Sequence, residues 1–139
     1  NKFKKIQDDF KLQSTEEIIQ SIHDFQNALD SFKEQIQNYA IELVDFSIDN
    51  TEDIVKEIIS RSQNWDSSRI TLMDKLILRL VIAEIVFIKH VPPKVSIAEG
   101  IEIAKTMSTD DSSAFVNGIL DSFFNDWLNK KIIIGNSKI

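Results

Sequence analysis

The 139-residue sequence contains no cysteine. That removes disulfide frameworks, thiolate zinc sites and cysteine nucleophiles together, and it fits a reducing, cytoplasmic setting. Glycine occurs 3 times and proline 2 times, and neither appears before Pro92. So little punctuation disfavours folds built from many tight turns, such as sandwiches, barrels and propellers. The 2 histidines, His23 and His90, lie far apart, which leaves little for imidazole chemistry. There is also no excess of positive charge: the formal net charge is −6, all of it carried by residues 1–70. A chain of this kind lacks the broad positive field that drives unaided nucleic-acid binding. No long hydrophobic run is present either. The most apolar stretch, Leu76 to Ile88, is too short and too charged, with Arg79 and Glu84, to span a bilayer. No signal-peptide pattern opens the chain. It does not begin with Met, so a segment of a longer protein is the expectation.

What is present is helical periodicity. Phe3, Ile6 and Phe10 suggest a short helix over 1–13. Ser14 and Glu17 have capping-box spacing. Behind them Ile18, Ile22, Phe25, Leu29, Phe32, Ile36, Tyr39, Leu43 and Phe46 alternate steps of four and three, an apolar seam along a helix. Two readings fit: one helix over 15–48, or two with a break near Ser31–Gln35. Packing of this seam inside the domain is favoured over a dimerisation arm, although a homodimer stays open. Asp49 or Asn50 caps the next helix, with Ile54, Ile58 and Ile59 facing inward. Trp65–Ile70 reads as a connector with a short helical turn.

Thr71 and Asp74 form a second capping-box pattern. The helix they open is apolar nearly all round, from Leu76 to Ile88, so it is predicted to be the central helix, with Leu80 and Ile85 buried. Pro92-Pro93 stops it, and Pro93 can open the next helix, which runs to Met107. The last helix spans about Asp111–Asn129. Asn117-Gly118 is unusual in an apolar helix, because Gly costs about 1 kcal/mol there relative to Ala. Such a Gly usually lets another backbone approach closely. The reading favoured for Asn117 is a buried amide bonded to a neighbouring helix or loop. The tail 130–139 is expected to be loosely held.

From residue 64 the motifs become specific. Asn64-Trp65-Asp66, Arg69-Ile70, Asp74-Lys75 and Ile77-Leu78-Arg79-Leu80 come first. Pro92-Pro93-Lys94-Val95, Ile101-Glu102 and Ala104-Lys105 follow, and then Asp111-Ser112 ahead of Phe115-Val116-Asn117-Gly118-Ile119-Leu120-Asp121. This order and spacing resembles the NusB family of bacterial transcription antitermination factors. The likeness is strong over 64–121 and extends back to about 36 through Asn38-Tyr39-Ala40 and Glu42-Leu43. The domain reading is therefore an N-terminal helical segment, 1–35, without motif match; a NusB-like domain, 36–129; and a tail, 130–139.

The resemblance implies an all-α fold of two small helical bundles sharing one core. It implies a non-enzymatic role without catalytic residues, metal or cofactor. The partners it implies are ribosomal protein NusE, a boxA-like single-stranded RNA and, indirectly, RNA polymerase, with no membrane. The same helical domain also occurs ahead of some RNA cytosine methyltransferases, which gives the alternative of a protein-interaction module without RNA binding of its own. Asp111, Ser112 and Phe115 sit where family members contact RNA, and Phe115 fits either base stacking or the core. Ala114 stands where the family often has a basic residue, and the family's Arg-rich first helix has no counterpart. Lys2, Lys4 and Lys5 are the local cations that remain, with a solvated chain end the favoured reading. Asp74 lies where relatives meet NusE, unless it simply completes the cap with Thr71.

Enzyme readings find little support. Glu99 with Glu102 and Glu16 with Glu17 are solvated-face pairs at helical or adjacent spacing. Neither histidine completes a Glu-x-x-His motif, and no phosphate-cradling glycine loop occurs. The expected RNA affinity of the chain alone is weak.

Overall fold

The computed structural model describes residues 2–5, 15–107, 109 and 111–135. All regular structure among these residues is helical. The chain divides into two compact units, Asn1–Ala40 and Ile41–Ile139.

In the first unit, residues 2–5 form a helical turn, while Ile6, Phe10 and the Ser14 cap lie outside the described residues. Helix α1 spans Thr15–Asp49 without a break and ends within the second unit. It contains no Gly or Pro, so nothing in its backbone favours interruption at Ser31–Gln35. Its seam does not pack as expected. Ile18, Ile22, Phe25, Leu29, Phe32 and Ile36 are all exposed. Only farther along, at Leu43 and Phe46, does the seam pack against a core.

The second unit holds that core. Phe46 stacks on Phe87 with ring centroids 4.7 Å apart. Helix α2 (Thr51–Arg61) follows directly. Asn50 precedes it without capping it: its Nδ2 donates back to the Phe46 carbonyl at 3.0 Å. Ile54 and Ile58 are buried, but Ile59 is exposed, because it falls on the outer face of a helix only half covered. A 3-10 turn, Ser67–Arg69, leads into α3 (Leu72–Phe87), the central helix. Ile77, Leu78, Val81, Ile82, Ile85 and Val86 are buried on it. Leu80 is half-buried rather than buried, since it lies on the flank.

Helices α4 (Pro93–Met107) and α5 (Ser112–Leu128) pack on α3 and on each other. Arg61 ties α2 to α5: its guanidinium pairs with Glu57 and with Asp126, the latter at 2.5 Å, and lies over the Phe123 ring. The chain end departs from expectation. Ile132 and Ile134 are buried, and the Gly135 amide donates to Asp53 Oδ2 at 3.1 Å. Gly135 has φ +55°, which suits glycine, and a Cβ there would collide with Asn50 Oδ1 at 2.3 Å.

The start of α3 is a full capping box. Thr71 Oγ1 accepts from the Asp74 amide at 3.1 Å, and Asp74 Oδ2 accepts from the Thr71 amide at 3.0 Å. Thr71→Ala is therefore expected to cost about 1 kcal/mol, the usual value for a lost N-cap. Denaturant melts check this, and a change within a few tenths would mean that the helix start is held by packing alone.

Candidate nucleic-acid interface

The connector between α2 and α3 meets the start of α5 around a small hollow of about 200 Å³. Asp66 shapes the connector. Its Oδ1 accepts from the Ser68 amide at 3.0 Å and from the Ser68 hydroxyl at 2.8 Å. The side-chain bond first, and then the backbone bond, hold the Asp66 carboxyl below its ordinary value. Because that value is lowered, these bonds favour the folded connector while the carboxylate is ionised and are lost as the pH falls through the lowered value.

Arg69 projects from the turn, largely exposed, between two carboxylates. It lies 4.0 Å from Asp66 and 3.7 Å from Asp111. Trp65 forms the adjoining wall. Its ring meets Phe115 edge-on, with centroids 5.1 Å apart and planes at 76°. Gly118 makes room for that indole: a Cβ there would stand 3.2 Å from Trp65 Cζ2. The glycine inside an apolar helix thus admits a side chain rather than a backbone. Asn117 beside it is exposed, not a buried amide, since it points away from the packed face of α5.

The structure brings Asp111, Ser112 and Phe115 together at this hollow. Asp111 is exposed and makes no side-chain cap on α5; its carboxylate faces Arg69 instead. Ser112 is buried, its hydroxyl accepting from the Thr109 amide at 3.2 Å and lying 3.0 Å from Thr109 Oγ1. Phe115 is 4% exposed and belongs to the core, so its ring faces are not open to a base. That is a correction to the stacking reading. At this hollow the aromatic ring open to solvent is Trp65, at 38% exposure. Trp65 and Arg69 line the same hollow and are not among the candidate residues read from the sequence, although Asn64-Trp65-Asp66 carries the motif. Their exposure follows from the connector's path, which no periodicity encodes. Lys2, Lys4 and Lys5 are exposed on the helical turn of the first unit. Asp74 is 1% exposed and is spent on the capping box, so at that helix start Leu72 and Lys75, not its carboxylate, face outward.

Among the described residues no group of His, Asp and Glu is placed to hold a metal ion, and no helix is long and apolar enough to cross a membrane.

Comparison with known proteins agrees with this architecture. The family model described as the NusB family matches residues 3–125, starting well before the motif-bearing segment. The transcription antitermination protein NusB of Chloroherpeton thalassium is 42% identical over 97 residues, which are 70% of this chain and 46% of that protein. The NusB protein of Leifsonia xyli subsp. xyli is 45% identical over 82 residues, 59% of this chain and 57% of the relative. That of Methylacidiphilum infernorum is 44% identical over 94 residues, 68% and 63% respectively. The chain thus spans roughly half to three-fifths of the length of these relatives. With the motif order on an all-helical fold and the family match running through nearly the whole sequence, the chain belongs to the NusB family.

Proposed function

We propose that the chain serves as a non-enzymatic transcription antitermination factor in the cytoplasm, pairing with ribosomal protein NusE and contacting boxA-type single-stranded RNA. RNA polymerase is then reached indirectly, through the assembled complex. The observation that carries the RNA contact is the hollow where an open indole, Trp65, stands beside an exposed guanidinium, Arg69. Unpaired bases stack on aromatic rings and on guanidinium planes. Asp111 can accept from base amino or imino groups there. Ser112 and Phe115 act as supports, fixing the loop before α5 and the wall behind Trp65. Lys2, Lys4 and Lys5 would add phosphate contacts. Asp74 serves a NusE surface by fixing the start of α3.

The same hollow predicts weak binding by the chain alone. Arg69 is flanked by two carboxylates, and Ala114 adds no charge. Affinity for nucleic acid comes largely from neutralised phosphates, and few cations are available here. That balance favours, as a second reading, an interaction module that pairs with a protein and leaves RNA affinity to the complex.

The test is a salt titration of boxA RNA binding by the chain with and without NusE. The expected result is weak binding with a shallow salt slope for the chain alone and tighter binding with NusE. Trp65→Ala should weaken the complex by about 1–3 kcal/mol, the usual worth of one base–aromatic stack. Tight binding by the chain alone, unaffected by Trp65→Ala, places the RNA elsewhere. Binding of NusE without any gain in RNA affinity selects the second reading.

A further inference from the structure

A second concavity, which meets the first at Trp65 and Ile70, has the opposite charge to the rest of the chain. It is a hollow of about 610 Å³ between α2 and α3. Its walls are aliphatic, with Val55, Ile58 and Ile59 on one side and Ile70, Leu72 and Leu76 on the other. Ile59, Leu72 and Leu76 are exposed there at 61%, 71% and 40%. Its only charged lining residues are Lys75 and Arg79, with no carboxylate, in a chain that holds 22 acidic residues. This trough is bordered along the outer edge of α2 by a further hollow, which shares Val55, Ile59 and Gln63 with it and is itself lined by Glu52 and Lys56.

Arg79 is incompletely satisfied. Its Nη2 donates to Thr51 Oγ1 at 2.8 Å, while its Nε is buried without an acceptor. No described carboxylate forms an ion pair with it. A guanidinium offers five donors in a planar fork shaped for a carboxylate. A carboxylate brought to this guanidinium would make a charge-assisted bond, stronger than the neutral hydroxyl contact that Arg79 now makes.

We infer that this trough is a docking site for an amphipathic α-helix of a partner protein, one that lays aliphatic side chains between α2 and α3 and brings an Asp or Glu carboxylate to Arg79. The shape argues for a helix, because ridges of side chains on one helix fill the groove between two others. The 11 residues of α2 extend about 16 Å, room for two to three turns of the incoming helix. The lining argues for protein rather than RNA, since it is aliphatic apart from Trp65 at the edge shared with the first hollow. The charge decides the kind of helix: two cations without an acid select an acidic partner. Leu72 and Lys75 also belong to the helix start proposed above for NusE, and the experiment below tests the trough with a probe helix and without NusE.

The experiment uses the full chain and a synthetic amphipathic helix of about 18 residues, long enough to hold helical structure. The probe carries Leu at i, i+3, i+4 and i+7 and one central Glu, with Gln and Lys versions as controls. Calorimetry gives affinity, and amide exchange maps the footprint. The Glu probe should protect α2 and the first half of α3 and bind about tenfold more tightly than the Gln probe, a difference of about 1.4 kcal/mol. Arg79→Gln should abolish that difference, and Arg79→Glu should reverse it towards the Lys probe. Ile59→Asp and Leu72→Asp change exposed positions, so they should keep the fold and weaken every probe. Equal binding of the Glu and Gln probes to the unmodified chain would overturn the inference, as would no binding of any probe. Probe binding lost with Phe25→Asp but kept with Ile59→Asp would place the helix on the seam of α1 instead. Self-association that Ile59→Asp abolishes and the Glu probe cannot displace would give the trough to a second copy. Competition by single-stranded RNA for the same footprint would give it to nucleic acid.

Discussion

Phe123→Ala is expected to destabilise the second unit by about 3–5 kcal/mol, the range for removal of a large aromatic side chain from a packed core. Phe123 is fully buried on α5. One face stacks with Trp127, centroids 6.3 Å apart and planes within 11°. The Arg61 guanidinium lies 5.5 Å from its ring centroid. Loss of the ring would leave a cavity and would strip cover from a cation whose Nε already lacks an acceptor. The effect should therefore fall at the upper end of the range. Trp127→Ala, at a half-buried ring on the same stack, should cost clearly less. Denaturant melts of the two variants decide the matter. A Phe123→Ala loss below about 1 kcal/mol would mean that α5 does not close the core as described.

The parts of this fold legible in the sequence are those where a local rule and the burial pattern agree. The cap at Thr71 and Asp74 uses backbone groups within one turn, so spacing alone reveals it. The central helix is apolar on every side, and only a surrounded helix keeps such a composition. Pro93 opening α4 is again local chemistry. Where sequence reading failed, the deciding contact was distant. Ile59 has the same periodicity as Ile58, but no neighbouring helix covers its face. The seam of α1 from Ile18 to Ile36 promises packing, and its repeat cannot say whether anything covers it.

The candidate site divides in the same way. Position in the motif brought Asp111, Ser112 and Phe115 to one hollow. Which of them faces outward depends on the connector, whose path is set by Asp66 bonding Ser68 and by the space left at Gly118. Phe115 therefore lies inside and Trp65 outside, although both are large aromatics in family motifs. Charge was readable at the level of the whole chain and misleading at the level of its surfaces. A net charge of −6 conceals a trough whose charged lining is two cations and no acid.

Removal of residues 131–139 is expected to destabilise the second unit, despite a composition that reads as a loose chain end. Ile132 and Ile134 are both buried, and each fully buried Ile contributes roughly 1.5–3 kcal/mol. Freeing the backbone returns some of that as entropy, since each ordered residue costs about 1–2 kcal/mol in lost conformational freedom. The residues removed no longer bear that cost, so the net loss comes from the core surface left uncovered. The truncation also removes the chain lying beside Asn50 and Phe87, and it takes the Gly135 amide away from Asp53. A finer test keeps the length. Ile134→Asp places a carboxylate at a site with no exposure, whereas Ile133→Asp changes the exposed neighbour. A buried charge without a partner is strongly destabilising and an exposed one nearly neutral, so the adjacent pair should split by several kcal/mol. Thermal and denaturant melts of the two variants measure that split. Equal stability would mean that the chain end lies free of the core and that the second unit closes without it.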